Sequence, residues 1–456
     1  MAKIFKPGSK VKNRKHQSTA KQLPDFEVTI EKYDHELKGI ATGLDNRITF
    51  VPGTMVGEKV RVKATTYTDR LIHADVKSQI TTSEQRIAPS CPHFTRCGGC
   101  QLQYMSSENQ LQQKQNAVDN LMRKQLNLDE LPWQQNITSS DWQYRRTAKM
   151  VTWRDKSGNF SMGFRAQGDK QVVDLEQCPI LTTKLASAFG AIKPIMASLS
   201  PTKQFPQVTG FDLESGVYLI IRALRSLTNE ESKRLLDLET ELQCRIWLEH
   251  EKGQYSALNG SDKEAEFLLE YRYENYRYTF SPSDFIQINA AVNSKMIEQA
   301  IEWLNVQSDE TVLDLFSGVG NFTLPLADRA KSVFAVEGVS NMVAKLKHNT
   351  TLNGLSNISA HQADLSQIDD KRRPRWLKPI DKLLLDPARD GALDVVKKIP
   401  LLSPKQILYV SCNPVTMSRD LKYLLTNEYR LTKIALLNMF PHTSHVEAMA
   451  LLEKRT

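Results

Sequence analysis

Three short stretches of the sequence carry side chains that could do chemistry together: Ser411-Cys412-Asn413-Pro414, Asp386-Pro387-Ala388-Arg389 and His445-Val446-Glu447. Cys412 closes the apolar run QILYVSC (406–412) and stands just before a helix. A thiol at the carboxyl end of a strand, facing a helix N-terminus that favours the thiolate, is placed as a nucleophile. The competing reading is a small buried hydrophobe, the commoner fate of a free cysteine. The acidic stretches shift that balance, because Asp386 ends the adjacent run KLLLDP (382–387) and Glu447 comes to the same edge. A nucleophile beside two carboxyl groups can add to an electron-poor carbon. One carboxyl can steady the adduct by hydrogen bonding, and the other can remove a proton to release it.

The same edge carries further acids. Asp314 lies in VLDLF (312–316), Glu337 ends SVFAVEG (332–338) and Asp364 ends ISAHQAD (358–364). In an open α/β sheet, ligands bind beyond the carboxyl ends of the strands. Glu337, 23 residues after Asp314, suits a pair of ribose hydroxyls, and Asp364 suits an adenine amino group. Each acid alone could equally be a helix N-cap; four at successive strand ends argue against coincidence. The first strand leads into Phe316-Ser-Gly318-Val-Gly320-Asn321 and then Phe322, where a dinucleotide fingerprint would have its third glycine. That disfavours NAD, whose pyrophosphate needs that close approach. Carbon 5 of uracil is a poor nucleophile towards a methyl sulfonium. Attack by Cys412 on carbon 6 would make it an enolate carbon, with Asp386 holding the ring edge and Glu447 later removing the carbon 5 proton. A nitrogen target would need no cysteine.

Three of the six cysteines, Cys91, Cys97 and Cys100, fall within ten residues, and Cys178 lies downstream. In a reducing compartment such clusters more often hold metal than disulfides. Four thiolates suit structural zinc or an iron–sulphur cluster, and the spacing leaves both open.

The elements that must position these groups follow from patterning. Residues 1–22 contain Lys3, Lys6, Lys10, Lys12, Arg14, Lys15 and Lys21 and no acid, so most of the net charge of +8 resides in this arm. It reads either as an electrostatic tether to nucleic acid or as a solubilising tail. Residues 23–82 alternate short apolar runs with turns, as a small β-barrel does. Residues 83–285 mix strands and helices, including a buried strand over 216–224 and an amphipathic helix over 229–242. Tyr271-Arg272-Tyr273 and Tyr276-Arg277-Tyr278 read as ordinary strands rather than as base-stacking platforms. From 286 to 456, strands and helices alternate and end in two strand-like runs too close for a crossover helix. This is an α/β, doubly wound Rossmann-like sheet closed by an antiparallel pair. With 456 residues, 40% hydrophobic and 25% charged, the chain has the composition of a globular protein of several domains. No apolar run approaches the roughly 18–20 residues needed to span a bilayer, and no secretory signal is visible, so the expected setting is cytoplasmic.

The strings FIQIN (285–289), LDLFSGVGNFTLPLA (313–327), LLLDPARDGA (383–392), YVSCNPVTMSRDL (409–421) and HVEAM (445–449) resemble those of the bacterial RNA uracil-5-methyltransferases. With the cysteine cluster, the resemblance spans most of residues 90–450. It implies a class I methyltransferase domain with S-adenosyl-L-methionine held by Gln287, Phe316, Asn321, Glu337, Asp364 and Asp386. It also implies Cys412 as nucleophile and Glu447 as base. Ser317 replaces a residue that is often cysteine in relatives, at a position without a catalytic role. The resemblance further implies a 4Fe–4S cluster on Cys91, Cys97, Cys100 and Cys178, stapling a central α+β RNA-binding domain. Residues 23–82 would be an OB-like TRAM barrel. Branches acting on tRNA are expected to lack both barrel and cluster, so a monomer acting on 23S ribosomal RNA is the implied reading. A tRNA uracil-5-methyltransferase and a non-catalytic RNA-binding assembly factor are the alternatives.

Overall fold

The computed structural model describes residues 23–251, 253–258, 267–365, 367, 374, 376 and 378–455, so the basic arm over 1–22 lies outside the described residues. The chain divides into two compact units, one comprising residues up to 34 together with 38–84, the other 35–37 and the chain from 85 onward.

The first unit contains β1 (Phe26–Thr29), β2 (Lys32–Tyr33), β3 (Gly39–Thr42), β4 (Ile48–Val51), β5 (Lys59–Tyr67) and β6 (Leu71–Gln79) in one six-stranded sheet, ordered β1-β5-β6-β4-β3-β2. Only Ile30 and Glu31 separate β1 from β2, so one bent strand supplies both ends of that order. Alternate residues point inward, and Phe26, Val28, Val51, Val60, Val62 and Ile72 are buried together. A Cβ on Gly39 would stand 2.2 Å from Thr54 Oγ1 and 2.9 Å from Ile30 Cγ2, so this crossing requires glycine.

The second unit opens with α1 (Ser107–Leu126). A mixed sheet follows, built from β7 (Thr147–Arg154), β8 (Phe160–Gly163), β9 (Gln207–Leu213), β10 (Gly216–Arg222), β11 (Arg245–Glu249) and β12 (Tyr255–Ala257) in the order β12-β11-β10-β9-β7-β8. Helices α2 (Thr183–Ser198) and α3 (Asn229–Leu242) bury Leu185, Phe189, Ile192 and Leu235 with Leu219 and Ile221 of this sheet. A capping box between Thr228 and Glu231 starts α3. The hairpin of β13 (Leu269–Tyr273) and β14 (Tyr276–Phe280) buries Tyr271, Tyr273, Tyr276 and Tyr278, as ordinary strands do.

The third sheet follows α4 (Ala290–Leu304). Its strands are β15 (Thr311–Leu315), β16 (Ser332–Glu337), β17 (Ile358–Gln362), β18 (Lys382–Leu385), β19 (Gln406–Ser411), β20 (Tyr429–Leu437) and β21 (Glu447–Lys454), ordered β17-β16-β15-β18-β19-β21-β20. The helices between them are α5 (Thr323–Ala327), α6 (Ser340–Leu352), α7 (Leu393–Val396), α8 (Ile399–Leu402) and α9 (Pro414–Thr426). The first five strands are parallel, and β21 runs antiparallel to both β19 and β20. Side-chain parity divides the sheet between two cores: Val312, Val333, Leu384 and Leu408 enter one, and Leu313, Leu315, Leu383 and Ile407 the other. Continuous apolar strands are what burial of both faces demands.

Candidate active site

At the carboxyl end of β15 the chain turns sharply, with left-handed φ at Phe316 (65°), Gly318 (56°) and Gly320 (103°). A Cβ on Gly320 would lie 2.6 Å from Leu346 Cδ1, so glycine lets the turn settle against α6. Glu337 holds this turn: its Oε2 accepts from Gly318 N at 3.1 Å and its Oε1 from Val339 N at 2.9 Å. A carboxylate has lone pairs beyond these two bonds, so ligand hydroxyls can still be accepted. Asn321 Oδ1 accepts from Tyr271 Oη at 3.3 Å and Asn293 Nδ2 at 3.1 Å, while its own Nδ2 donates to Asn293 Oδ1 at 2.9 Å. Gln287 is buried, and its carbonyl accepts from Arg146 Nε at 2.9 Å. The Arg146 guanidinium sits 4.7 Å over the Tyr271 ring, so Gln287 and Asn321 share one polar network. Arg146 and Asn293 have no motif of their own, and Tyr271 reads from the sequence as part of an ordinary strand; only the fold brings them to this strand edge. Asp364 lies exposed two residues beyond β17, and Asp386 follows β18 directly, partly buried.

Ser411 pairs with Ala448, so Cys412 and Glu447 follow as opposed residues where β19 and β21 part. Glu447 is 4% exposed and its Oε2 makes no hydrogen bond. Burial, reinforced by the charge of Asp386, pushes its pKa up to about 8. Burial likewise raises Asp386 to about 7. Asp314 is also raised to about 7 by burial, although its Oδ2 accepts from Thr323 Oγ1 at 2.5 Å. None of the three is paired with a basic side chain among the described residues.

The Cys412 thiol runs against expectation. Burial above all, then Glu447 and Asp386, raise its pKa, whereas Arg389 is the one side chain acting to lower it. Burial thus opposes the thiolate that a helix N-terminus would favour. Arg389 Nη2 lies 3.2 Å from His445 Nδ1, on the loop that leads into Glu447.

That loop is clamped from the cysteine-rich segment. The His442 carbonyl accepts from Gln101 N at 2.8 Å and Leu102 N at 3.0 Å. Gln110 Oε1 accepts from His442 N at 2.9 Å, and Gln110 Nε2 lies 3.1 Å from His442 Nδ1. Lys114 Nζ donates to the Phe440 carbonyl at 3.2 Å, and Trp142 stacks on His442 at 3.8 Å.

Cys91, Cys97, Cys100 and Cys178 line one small, mostly apolar cavity with Phe94, Phe164 and Leu175. Burial raises all four thiols, Cys100 to about 12 and Cys178 to about 11. Among the described residues, no group of three or more His, Cys, Asp or Glu side chains is arranged to hold a metal ion.

A Rossmann-like sheet that gathers a cysteine and several carboxyls at one strand edge is the architecture of a class I methyltransferase. The model of the tRNA (Uracil-5-)-methyltransferase family matches residues 106–455, and the chain belongs to this family of S-adenosylmethionine-dependent enzymes. The 23S rRNA (uracil(1939)-C(5))-methyltransferase RlmD of Shewanella sediminis is 37% identical over 439 residues, 96% of this chain and 98% of the relative. That of Vibrio parahaemolyticus is 37% identical over 457 residues, the full length of both. The crystal structure of Pyrococcus abyssi tRNA (uracil-54, C5)-methyltransferase in complex with S-adenosyl-L-homocysteine shares the fold. Its TM-score is 0.70 at 21% identity, over 93% of this chain and 99% of that one.

Proposed function

We propose that this chain methylates carbon 5 of a uridine in 23S ribosomal RNA through a covalent bond from Cys412. One observation carries the mechanism: Cys412 and Glu447 stand opposite each other where β19 and β21 part, with Asp386 beside them. The RNA class rests on full-length likeness to the RlmD enzymes. S-adenosyl-L-methionine supplies an electrophilic methyl group, and Gln287, Phe316, Asn321, Glu337, Asp364 and Asp386 hold it. Arg389 favours the Cys412 thiolate, which adds to carbon 6 of uracil. The carbon 5–carbon 6 π electrons move to carbon 5 and the carbon 4 oxygen, near which Asp386 holds the ring edge. Carbon 5 would displace the methyl group from the sulfonium, leaving S-adenosyl-L-homocysteine, and Glu447 then takes the carbon 5 proton. The carbon 5–carbon 6 double bond re-forms and the sulphur leaves, giving 5-methyluridine. General-base help of this kind typically contributes ~10²–10⁴-fold.

The four cysteines line one shared apolar cavity; four thiolates suit structural zinc or a 4Fe–4S cluster, and the family resemblance favours the cluster. Its role would be structural. The described strands of the first unit serve as a TRAM, OB-like barrel, residues 83–285 as the central RNA-binding domain and 286–456 as the methyltransferase domain. The enzyme would work as a cytoplasmic monomer.

The test is RNA carrying 5-fluorouridine at the target. Fluorine cannot leave as a cation, so a methylated protein–RNA adduct should survive denaturing electrophoresis and require S-adenosylmethionine. Cys412→Ala should abolish it, and Glu447→Gln should accumulate an adduct on ordinary uridine. An active Cys412→Ala enzyme would overturn the mechanism. Methyl incorporation into tRNA but not 23S ribosomal RNA would overturn the substrate.

A further inference from the structure

One face of the mixed central sheet packs on α2 and α3; the other borders an open groove of about 820 Å³, between the sheet and residues 282–288. Arg145, Thr147, Lys149, Thr209, Arg222 and Phe285 are among its lining residues. Parity along β7 accounts for the floor: Ala148, Met150 and Thr152 turn inward and are buried, so Thr147, Lys149, Val151 and Trp153 turn outward. Trp153 is 51% exposed on the same face, beyond Lys149. At about 3.3 Å per residue, Arg145 and Trp153 lie roughly 26 Å apart, room for several nucleotides.

The charge in the groove is one-sided. Arg222 is neutralised by Glu249 at 3.2 Å, and Asp284 by Lys345 at 2.7 Å. Arg145 spends only its Nε, on the Thr147 carbonyl at 2.9 Å, and Lys149 has no acidic partner among the described residues. The Arg145 end also adjoins the catalytic edge. Arg145 bridges to Asn289, two residues after Gln287, and the neighbouring Tyr144 Oη donates to the Pro441 carbonyl at 3.0 Å. Two uncompensated cations followed by an exposed indole, leading away from the reacting cysteine, match a nucleic-acid strand: phosphates on the cations, a base on the ring. A duplex has no free base face to offer the indole.

We infer that this groove holds a single-stranded RNA segment flanking the target uridine, its phosphates on Arg145 and Lys149 and an unpaired base stacked on Trp153. The inference rests on the proposed RNA substrate and adds where the flanking strand runs. Binding by the full chain is measured on two RNAs, a compact stem–loop with the target uridine and the same RNA with a single-stranded extension of about ten nucleotides, placed on either side in turn. One extended form should bind more tightly than the compact form. Trp153→Ala should remove roughly tenfold of that gain, and Trp153→Phe should restore most of it. Lys149→Ala should reduce the salt slope by about one for the extended RNA only. Affinity for the compact RNA and for S-adenosylmethionine should stay unchanged. Equal losses on compact and extended RNA, no gain from either extension, or displacement of the extension by an acidic peptide as readily as by RNA would overturn the groove. Failure of the wild-type enzyme to methylate either RNA would overturn the reaction, whereas the binding comparison needs no methyl transfer and still decides the groove.

Discussion

Asp386 and Glu447 are raised to about 7 and about 8 because they are buried without a cation. A sulfonium ligand favours their ionised forms, so S-adenosylmethionine should bind more tightly as pH rises from about 6 to about 9. S-adenosylhomocysteine, which lacks the sulfonium charge, should change less. Calorimetry across that range with both ligands checks this, and Asp386→Asn should flatten the difference. The same groups set a stability trend. A carboxyl whose folded pKa exceeds its unfolded value keeps its proton longer when folded, so the ligand-free protein should lose stability as pH climbs from about 5 to about 8. Asp386→Asn should therefore raise the ligand-free melting temperature at pH 8 relative to wild type, and much less at pH 5. Arg389 acts the opposite way on Cys412. Arg389→Ala should move alkylation of Cys412 by iodoacetamide, and the rate of methyl transfer, to higher pH. The acids were legible in the sequence because strand ends in a doubly wound sheet are where polar residues serve ligands. The raised pKa of Cys412 was not, since it depends on its burial and then on which acids the fold brings beside it.

At the scale of elements, α1 is the support of the catalytic loop. Gln110 is buried; besides meeting His442 on both sides of its amide, it donates to the carbonyls of Leu102 at 3.1 Å and Met105 at 2.9 Å. Gln110→Ala would orphan several buried groups and should cost about 1–3 kcal/mol. It should lower kcat with little change in S-adenosylmethionine affinity, because the affected loop leads to Glu447 and not to Glu337. Thermal melts and a split of kcat from ligand affinity check both halves. The parallel strands were readable from continuous apolar runs such as KLLLDP. The clamp between Gln101 and His442 was not, since bonds between residues over 300 positions apart leave no periodic trace.

For the whole molecule, the two compact units predict separable losses. Removing residues 1–84 should leave S-adenosylmethionine affinity close to wild type, because every proposed cofactor residue lies in the second unit. Affinity for ribosomal RNA should fall and its salt dependence flatten, since the seven cations of the arm leave with it. Filter binding over a salt series distinguishes this from a truncated enzyme that binds as before. Here the sequence was informative about charge. In the central sheet it marked the strand over 216–224 but not the strand order, whose single parallel pair, β10 with β11, breaks the alternation that short strands advertise.

The order of the third sheet has one more consequence. β21 is the last of its seven strands to be synthesised, yet it lies between β19 and β20 and carries Glu447 at its first position. A nascent chain that has emerged as far as β20 has both neighbours of the missing strand and no base. Until translation supplies residues 447–454, the growing polypeptide has Cys412 without the Glu447 proposed to release an RNA bound to it. Late insertion of this strand therefore separates the making of the enzyme from its first turnover.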